Sequence, residues 1–331
     1  MALRLSFILL LILLPTSLLV GSVALSPSEV MGALFAPSTA SESALLIIYE
    51  SRLPQLLTAL LAGTALSVSG LVMQTLFSNP LADPSLLGVN SGASLGTALV
   101  LLIPGVSAYA IGTSWSGLML TVLAAFVGAC GVIALLVVLS QYLHGNLALL
   151  VAGVMLSFCI SSVIALLNFY ATADGVRSFI IWGLGNFSGV PLSRMPLFAL
   201  LVCIPLLLIF RKILPLNALL LGPDYAANLG FHIRNERTQL LIYTGLLTAS
   251  VTALCGPIAF IGLAVPHLAR LMLHSADHRQ LLPTTTVCGM NVALFSLILT
   301  HLPGERGTLP LGAITPLIGV PVVLFILLKR H

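Results

Sequence analysis

The sequence predicts an all-α polytopic membrane protein of about ten transmembrane helices, and three observations predict it. Of 331 residues, 59% are hydrophobic and only 7% charged, with a mean hydropathy of +1.15. A soluble chain is about 25% charged and about 45–50% apolar, and no soluble interior can hide the excess. Between Arg52 and Asp174 lie 121 residues with one charged side chain, Asp83. A charge at mid-bilayer costs at least about 2.5–3.5 kcal/mol, so several consecutive crossings require such a stretch. The apolar residues come in runs, such as 147–156, not in the alternation of a β-barrel. A soluble enzyme, a secreted disulfide scaffold and a disordered tail are all excluded.

One crossing takes about 20 residues, and the elements follow in order. The run 5–23 after Arg4 resembles a signal peptide. Its cleavage-like stretch 23–26 is poor and everything downstream is equally apolar, so it reads as a retained first span. Residues 24–52, with Glu29, Glu42 and Glu50, form an outer connector. Spans follow at 54–77, 88–103, 116–139 and 147–169. Gly63, Ser67 and Gly70 line one side of the second, and Gly92-x-x-x-Gly96 sits early in the third; small residues let helix backbones approach closely. Asp83, between Pro80 and Pro84, belongs to a turn rather than to a span. The segment 176–185 is apolar but short and glycine-bearing, as an interfacial or half-inserted helix would be.

After a sixth span at 196–210 comes the most polar stretch, 211–238. Pro215 and Gly222-Pro223 break helices there, Asp224 can cap a short helix and Gly230 can end one. That predicts two short helices along the inner face, either a partner surface or an ordinary amphipathic connector. Spans at 239–255, 259–273, 282–300 and 311–328 complete the ten. The eighth is short, contains Gly262 and Pro266 just after Gly256 and Pro257, and suits a place inside the bundle. The whole chain, 1–331, reads as one transmembrane domain. With the N-terminus inside, both ends are cytoplasmic. Nine basic residues then lie inside (Arg4, Arg211, Lys212, Arg234, Arg237, Arg270, Arg279, Lys329, Arg330) and four outside (Arg52, Arg177, Arg194, Arg306), the sense of the positive-inside rule.

Several chemistries lack their residues. There is no G-x-x-x-x-G-K-[ST], so the chain has no P-loop of its own for ATP, and no H-E-x-x-H. There is no Ser/His/Asp constellation to suggest an enzyme, no arginine-rich span and no T-V-G-Y-G filter. Cys130, Cys159, Cys203, Cys255 and Cys288 stand singly in apolar runs and read as small core residues, not metal ligands. The net charge of +4 is too diffuse for a nucleic-acid partner. Ion-coupled transporters hold carboxylates inside their spans, and Asp83 is the one mid-chain carboxylate here. The energy for transport must therefore come from a partner, or flow must be passive; a secondary transporter, a passive channel and an embedded enzyme are the weaker readings.

A set of motifs stands in order from about residue 45 to 330. They are Arg52-Leu-Pro54, Asn79-Pro-Leu-Ala-Asp-Pro-Ser-Leu-Leu-Gly-Val-Asn-Ser-Gly-Ala93, Leu221-Gly-x-x-x-Ala-x-x-Leu-Gly230 and Cys255-Gly-Pro-Ile-Ala-Phe-Ile-Gly-Leu-Ala-Val-Pro-His-Leu-Ala-Arg270. Asp277-His-Arg279, Leu282-Pro283, Leu309-Pro-Leu-Gly312 and Gly319-Val-Pro321 follow. Together they resemble the FecCD family, the permease subunits of type II bacterial ABC importers for iron-siderophores, haem and cobalamin. The resemblance implies ten helices per subunit and a homodimer in the bacterial inner membrane, with the pathway on its two-fold axis. It also implies two cytoplasmic ATP-binding subunits, which hold the ATP and Mg, and a periplasmic substrate-binding protein. The chain itself then needs no cofactor.

By the same resemblance, Leu221, Gly222, Asp224, Ala226, Leu229 and Gly230 form the ATPase coupling loop. Asn79 and Leu81 contribute to a cytoplasmic gate, with the turn at Gly145 and Asn146 a second candidate; an apolar side chain facing its dimer mate closes a pore by dewetting. Asn79 serves equally well as a turn cap. Arg52 is the expected outer contact for the binding protein, or a plain interfacial anchor. The second family arginine falls near His301, a departure for which either Arg306 takes over or the docking is weaker, and Thr308 stands where an acidic residue is usual, with Glu305 nearby. His267 reads as a packing histidine. Asn168, Tyr170, Phe179, Trp182 and Asn186 either line the pathway or anchor the interface. An iron complex is the expected substrate, with cobalamin the alternative.

Overall fold

The computed structural model describes residues 2–103, 115–143, 145–304 and 307–329. Every regular element among them is helical. In chain order the α-helices are α1 (Ala2–Leu19), α2 (Pro27–Phe35), α3 (Glu42–Ile47), α4 (Leu53–Leu76), α5 (Val89–Leu101), α6 (Trp115–Tyr142) and α7 (Asn146–Tyr170). They continue with α8 (Ala173–Gly183), α9 (Met195–Phe210), α10 (Ile213–Leu219), α11 (Pro223–Asn228) and α12 (Ile233–Cys255). The last are α13 (Ile261–Leu273), α14 (His278–Thr300) and α15 (Leu311–Lys329). Among the described residues seven helical runs are long and apolar enough to cross a membrane, and the shorter apolar α5, α13 and α15 fill the other three expected places.

Helix α4 is the spine. It packs against α14, α13, α12 and α9, and Ala59, Ala62, Ala65, Val68, Leu71 and Val72 have no exposed surface. Its glycines explain how so many neighbours fit. A Cβ added to Gly63 would stand 2.3 Å from the carbonyl oxygen of Gly289 on α14, and one on Gly70 would stand 1.9 Å from that of Gly262 on α13. In lipid no hydrophobic force drives helices together, so backbone proximity of this kind supplies the packing. The pair α5–α6 repeats the device, with Gly92 against Gly128 and Gly96 against Ala124. Helix α1 lies along α14, where Asn291 Nδ2 donates to the Ser6 carbonyl at 2.8 Å.

The outside is apolar. On α7, Leu147, Val151, Met155, Phe158, Leu166 and Phe169 are exposed, the surface of a helix that meets lipid or another chain. Cys159 and Cys203 lie on such surfaces, contrary to their expected place in the core, whereas Cys255 and Cys288 are buried.

Two helix starts differ most from the hydropathy reading. Helix α12 starts at Ile233 rather than 239 because its first turns are polar, and Glu236 in them pairs with Lys212 at 2.9 Å. Helix α14 starts at His278 rather than 282, behind the N-cap Asp277. The 24–52 connector carries α2, capped by Ser26 in a reciprocal box with Glu29, and α3. A π turn over Ile48–Arg52 then runs from α3 into α4. The short helix expected at 176–185 is α8, whose N-cap Thr172 accepts the Gly175 N–H at 3.2 Å.

Candidate coupling surface and gate

The α9–α12 connection holds two short helices. Backbone chemistry sets their ends. Gly222 sits at φ +108° and Gly230 at φ +90°, conformations that L side chains rarely adopt. Nothing lies within 4 Å of a Cβ built on either, so conformation and not space demands glycine. Pro223 opens α11 with its φ preset. The Gly230 N–H returns to the Ala227 carbonyl at 2.9 Å and that of Phe231 to Ala226 at 3.2 Å, closing the helix. Asp224 does not cap α11 as expected. The N-cap is Gly222, and Asp224 lies within the first turn, where its charge opposes the positive end of the helix dipole.

This loop has a buried base and an apolar crest. Leu216, Ala226, Ala218 and Leu219 are buried, while Leu220, Leu221, Tyr225 and Leu229 are exposed, Leu221 by 66% and Leu229 by 56%. Exposed apolar patches of this kind are the raw material of interaction surfaces.

A polar cluster supports the base. Asn217 Nδ2 donates to Asp277 Oδ1 at 2.7 Å, and Asn217 Oδ1 accepts the His278 backbone N–H at 2.9 Å. Asn217 Oδ1 is also 2.9 Å from His278 Nδ1, and His278 Nε2 is 2.9 Å from Thr75 Oγ1. The Arg279 backbone N–H, and then the Asn217 amide, hold the Asp277 carboxyl below its ordinary value.

The gate turn follows α4. Asn79 Oδ1 accepts the Leu81 N–H at 2.9 Å, so Asn79 caps the turn. Leu81 is 41% exposed beside it. His267 Nε2 lies 2.9 Å from the Pro80 carbonyl, and Gln74 donates to the Leu263 carbonyl at 3.2 Å while receiving the Arg270 guanidinium. His267 is thus buried and packed against the turn. The other turn rests on different neighbours. Gly145, at φ +95°, receives Arg237 on its carbonyl at 3.4 Å, and Arg234 reaches Gln141 at 3.2 Å. Asn146 opens α7.

At the opposite face Arg52 is not a free cation on the rim. It is 5% exposed, and its guanidinium donates to the carbonyls of Leu18, Leu19 and Val23. It closes the open end of α1, four of whose carbonyls have no partner within the helix. His301 Nε2 lies 3.0 Å from Gln55 Oε1, so it too is engaged within the chain. Arg306 and Glu305 lie outside the described residues. Arg52→Ala is expected to destabilise the fold by about 2 kcal/mol, since hydrogen bonds to a charged group contribute about 1.5–3 kcal/mol. Thermal unfolding in detergent reads it.

The FecCD transport family profile matches residues 9–329. The chain belongs to the FecCD transport family. This FecCD protein is 34% identical over 281 residues to the hemin transport system permease protein HmuU of Yersinia pestis, covering 85% of this chain and 82% of that one. It is 37% identical over 287 residues to the vitamin B12 import system permease protein BtuC of Escherichia coli O157:H7, covering 86% and 84%. A solved structure described as an inward-facing conformation of a metal-chelate type ABC transporter superposes with a TM-score of 0.85 at 28% identity, covering 99% of both chains. These relatives are transport permeases, not enzymes.

In the FecCD protein the structure puts Leu221 and Leu229 on the crest and Ala226 in the base of one loop, and Asn79 and Leu81 in one turn. It turns Arg52 inward. Sequence reading placed Asn217 only within the candidate partner-surface stretch and gave no individual role to His278 or Thr75. Asp277-His-Arg279 was visible as a motif, but only the fold brings its histidine to Thr75.

Proposed function

We propose that this FecCD permease is one half of a homodimer in an ATP-driven importer of the bacterial inner membrane, with both termini cytoplasmic. Two ATP-binding subunits, which hold the ATP and Mg, seat on the crest of Leu220, Leu221, Tyr225 and Leu229. A periplasmic protein delivers the substrate on the opposite face. The observation that carries this reading is the crest itself, four exposed large side chains held by a buried base in a chain with no P-loop of its own. The exposed apolar face of α7 suits a second copy. An iron complex, a ferric siderophore or haem, is the proposed cargo, and cobalamin is the alternative because relatives named for hemin and for vitamin B12 match about equally.

The test is reconstitution in lipid vesicles. The chain alone should show neither ATP hydrolysis nor uphill uptake; with its ATP-binding subunits and binding protein, uptake should require ATP. Uphill transport by the chain alone would overturn the reading. Offering hemin, a ferric siderophore and cobalamin to the same vesicles decides the cargo.

A further inference from the structure

The cluster under the coupling loop continues to the gate. We infer that Asn217, His278 and Thr75 form a hydrogen-bonded linkage through which the coupling loop positions the 78–83 turn. This rests on the proposed coupling role of that loop.

The orientation of each group follows from its partners. Asn217 lies on α10, within the loop. Its NH2 faces the Asp277 carboxylate at 2.7 Å and its oxygen faces the His278 backbone N–H at 2.9 Å. A flipped amide would set oxygen against carboxylate and NH2 against N–H, so this network fixes one orientation. The same oxygen lies 2.9 Å from His278 Nδ1, which must then carry the proton. That leaves Nε2 of the neutral ring as an acceptor facing the Thr75 hydroxyl at 2.9 Å, whose single proton is shared with the Leu71 carbonyl at 3.1 Å. His278 has no exposed surface, so a single tautomer bridges the loop and α4 without water.

Thr75 is in the last turn of α4, and the gate turn hangs from that turn by its backbone. Ser78, at φ +49°, donates to the Thr75 carbonyl at 3.1 Å, and Asn79 donates to that of Gln74 at 3.1 Å. Leu81 then donates to the Asn79 side chain. The last turn of α4 is therefore gripped twice: Gln74 by α13, and Thr75 through His278 by the coupling loop. A fold needs no buried imidazole here. Asp277 already caps α14 through the Arg279 N–H at 2.9 Å, and burying a ring with two polar nitrogens costs free energy unless both are bonded. Both are bonded, one to the loop and one to α4.

The test uses the full chain in lipid nanodiscs and reads amide hydrogen exchange at Leu81 and Ala82. Asn217→Ala, at the far end of the linkage, should speed that exchange about five-fold or more, the lower end of coupling between sites. Thr75→Ser, which keeps the hydroxyl, should exchange as wild type. Thr75→Val should speed exchange, and adding Asn217→Ala to it should produce no further change, because the path is already cut. If Asn217→Ala does not fold, His278→Phe, which keeps a ring without nitrogens, takes its place. Unchanged exchange in Asn217→Ala, or effects of Asn217→Ala and Thr75→Val that simply multiply, would overturn the linkage. In the reconstituted importer the substrate moved per ATP should fall in Thr75→Val and be kept in Thr75→Ser. A chain that binds no ATP-binding subunit would sink the proposed function, yet the exchange measurements would still decide the linkage.

Discussion

Gly70→Ala should destabilise the folded protein strongly. The new methyl would stand 1.9 Å from the carbonyl oxygen of Gly262 and 2.6 Å from its Cα. These are backbone atoms, so no rotamer change can clear them. Helix α4 cannot retreat, because Val68, Leu71 and Val72 around Gly70 have no exposed surface. Nor can α13 move freely, since a Cβ at Gly262 would already meet the Asp83 carboxylate at 2.3 Å. Overpacking a well-filled core costs about 1–3 kcal/mol, and a clash between two helix backbones belongs at or beyond the top of that range, about 3 kcal/mol. Against a marginal fold of about 5–15 kcal/mol that is a large fraction. The thermal midpoint in detergent and the monodisperse yield both read it. Gly131→Ala is the control. Gly131 lies mid-helix in α6 with nothing within 4 Å of an added Cβ, and alanine is favoured over glycine in a helix by about 0.5–1 kcal/mol. It should match or slightly exceed wild type. Equal stability of the two variants would mean that the α4–α13 crossing is looser than the structure shows.

The same contrast explains what the sequence discloses. A bilayer imposes long apolar runs, so ten spans are visible as runs, and Gly63, Gly70, Gly92 and Gly96 stand out because close packing in lipid selects small residues. The coupling loop is legible because Pro215, Gly222-Pro223 and Gly230 punctuate a polar stretch, and glycine at positive φ leaves its mark in composition. Polar first turns escape hydropathy, which is why the starts of α12 and α14 are displaced. Side-chain direction escapes it as well. Arg52 stands at the expected end of a span, but only the fold shows the carbonyls of Leu18, Leu19 and Val23 gathered around it. Asp224 has a capping side chain, yet Gly222 takes the cap because its unusual φ turns the chain there. Thr75 and His278 are 203 residues apart, and no local pattern joins them.

Replacing Leu221 and Leu229 together by aspartate should abolish ATP-driven uptake and leave the fold intact. Both side chains are more than half exposed and pack against little in their own chain, and substitutions at such positions change stability by no more than about 0.5 kcal/mol. Their whole effect must therefore fall on whatever the crest touches. A central apolar anchor in an interface contributes at least about 2 kcal/mol, and a carboxylate set into the same apolar site adds a desolvation cost. Affinity for the ATP-binding subunit should drop by about 30-fold or more, read by co-purification and by uptake in vesicles, with the thermal midpoint of the lone chain unchanged. Ala226→Leu should act in the opposite way. Ala226 has no exposed surface, so a larger side chain there pries α11 from its base and lowers the midpoint of the lone chain before any partner is added. Normal uptake in the double aspartate variant would show that the crest is not the surface on which the engine sits. A lowered midpoint in that variant, with none in Ala226→Leu, would mean that base and crest have exchanged places.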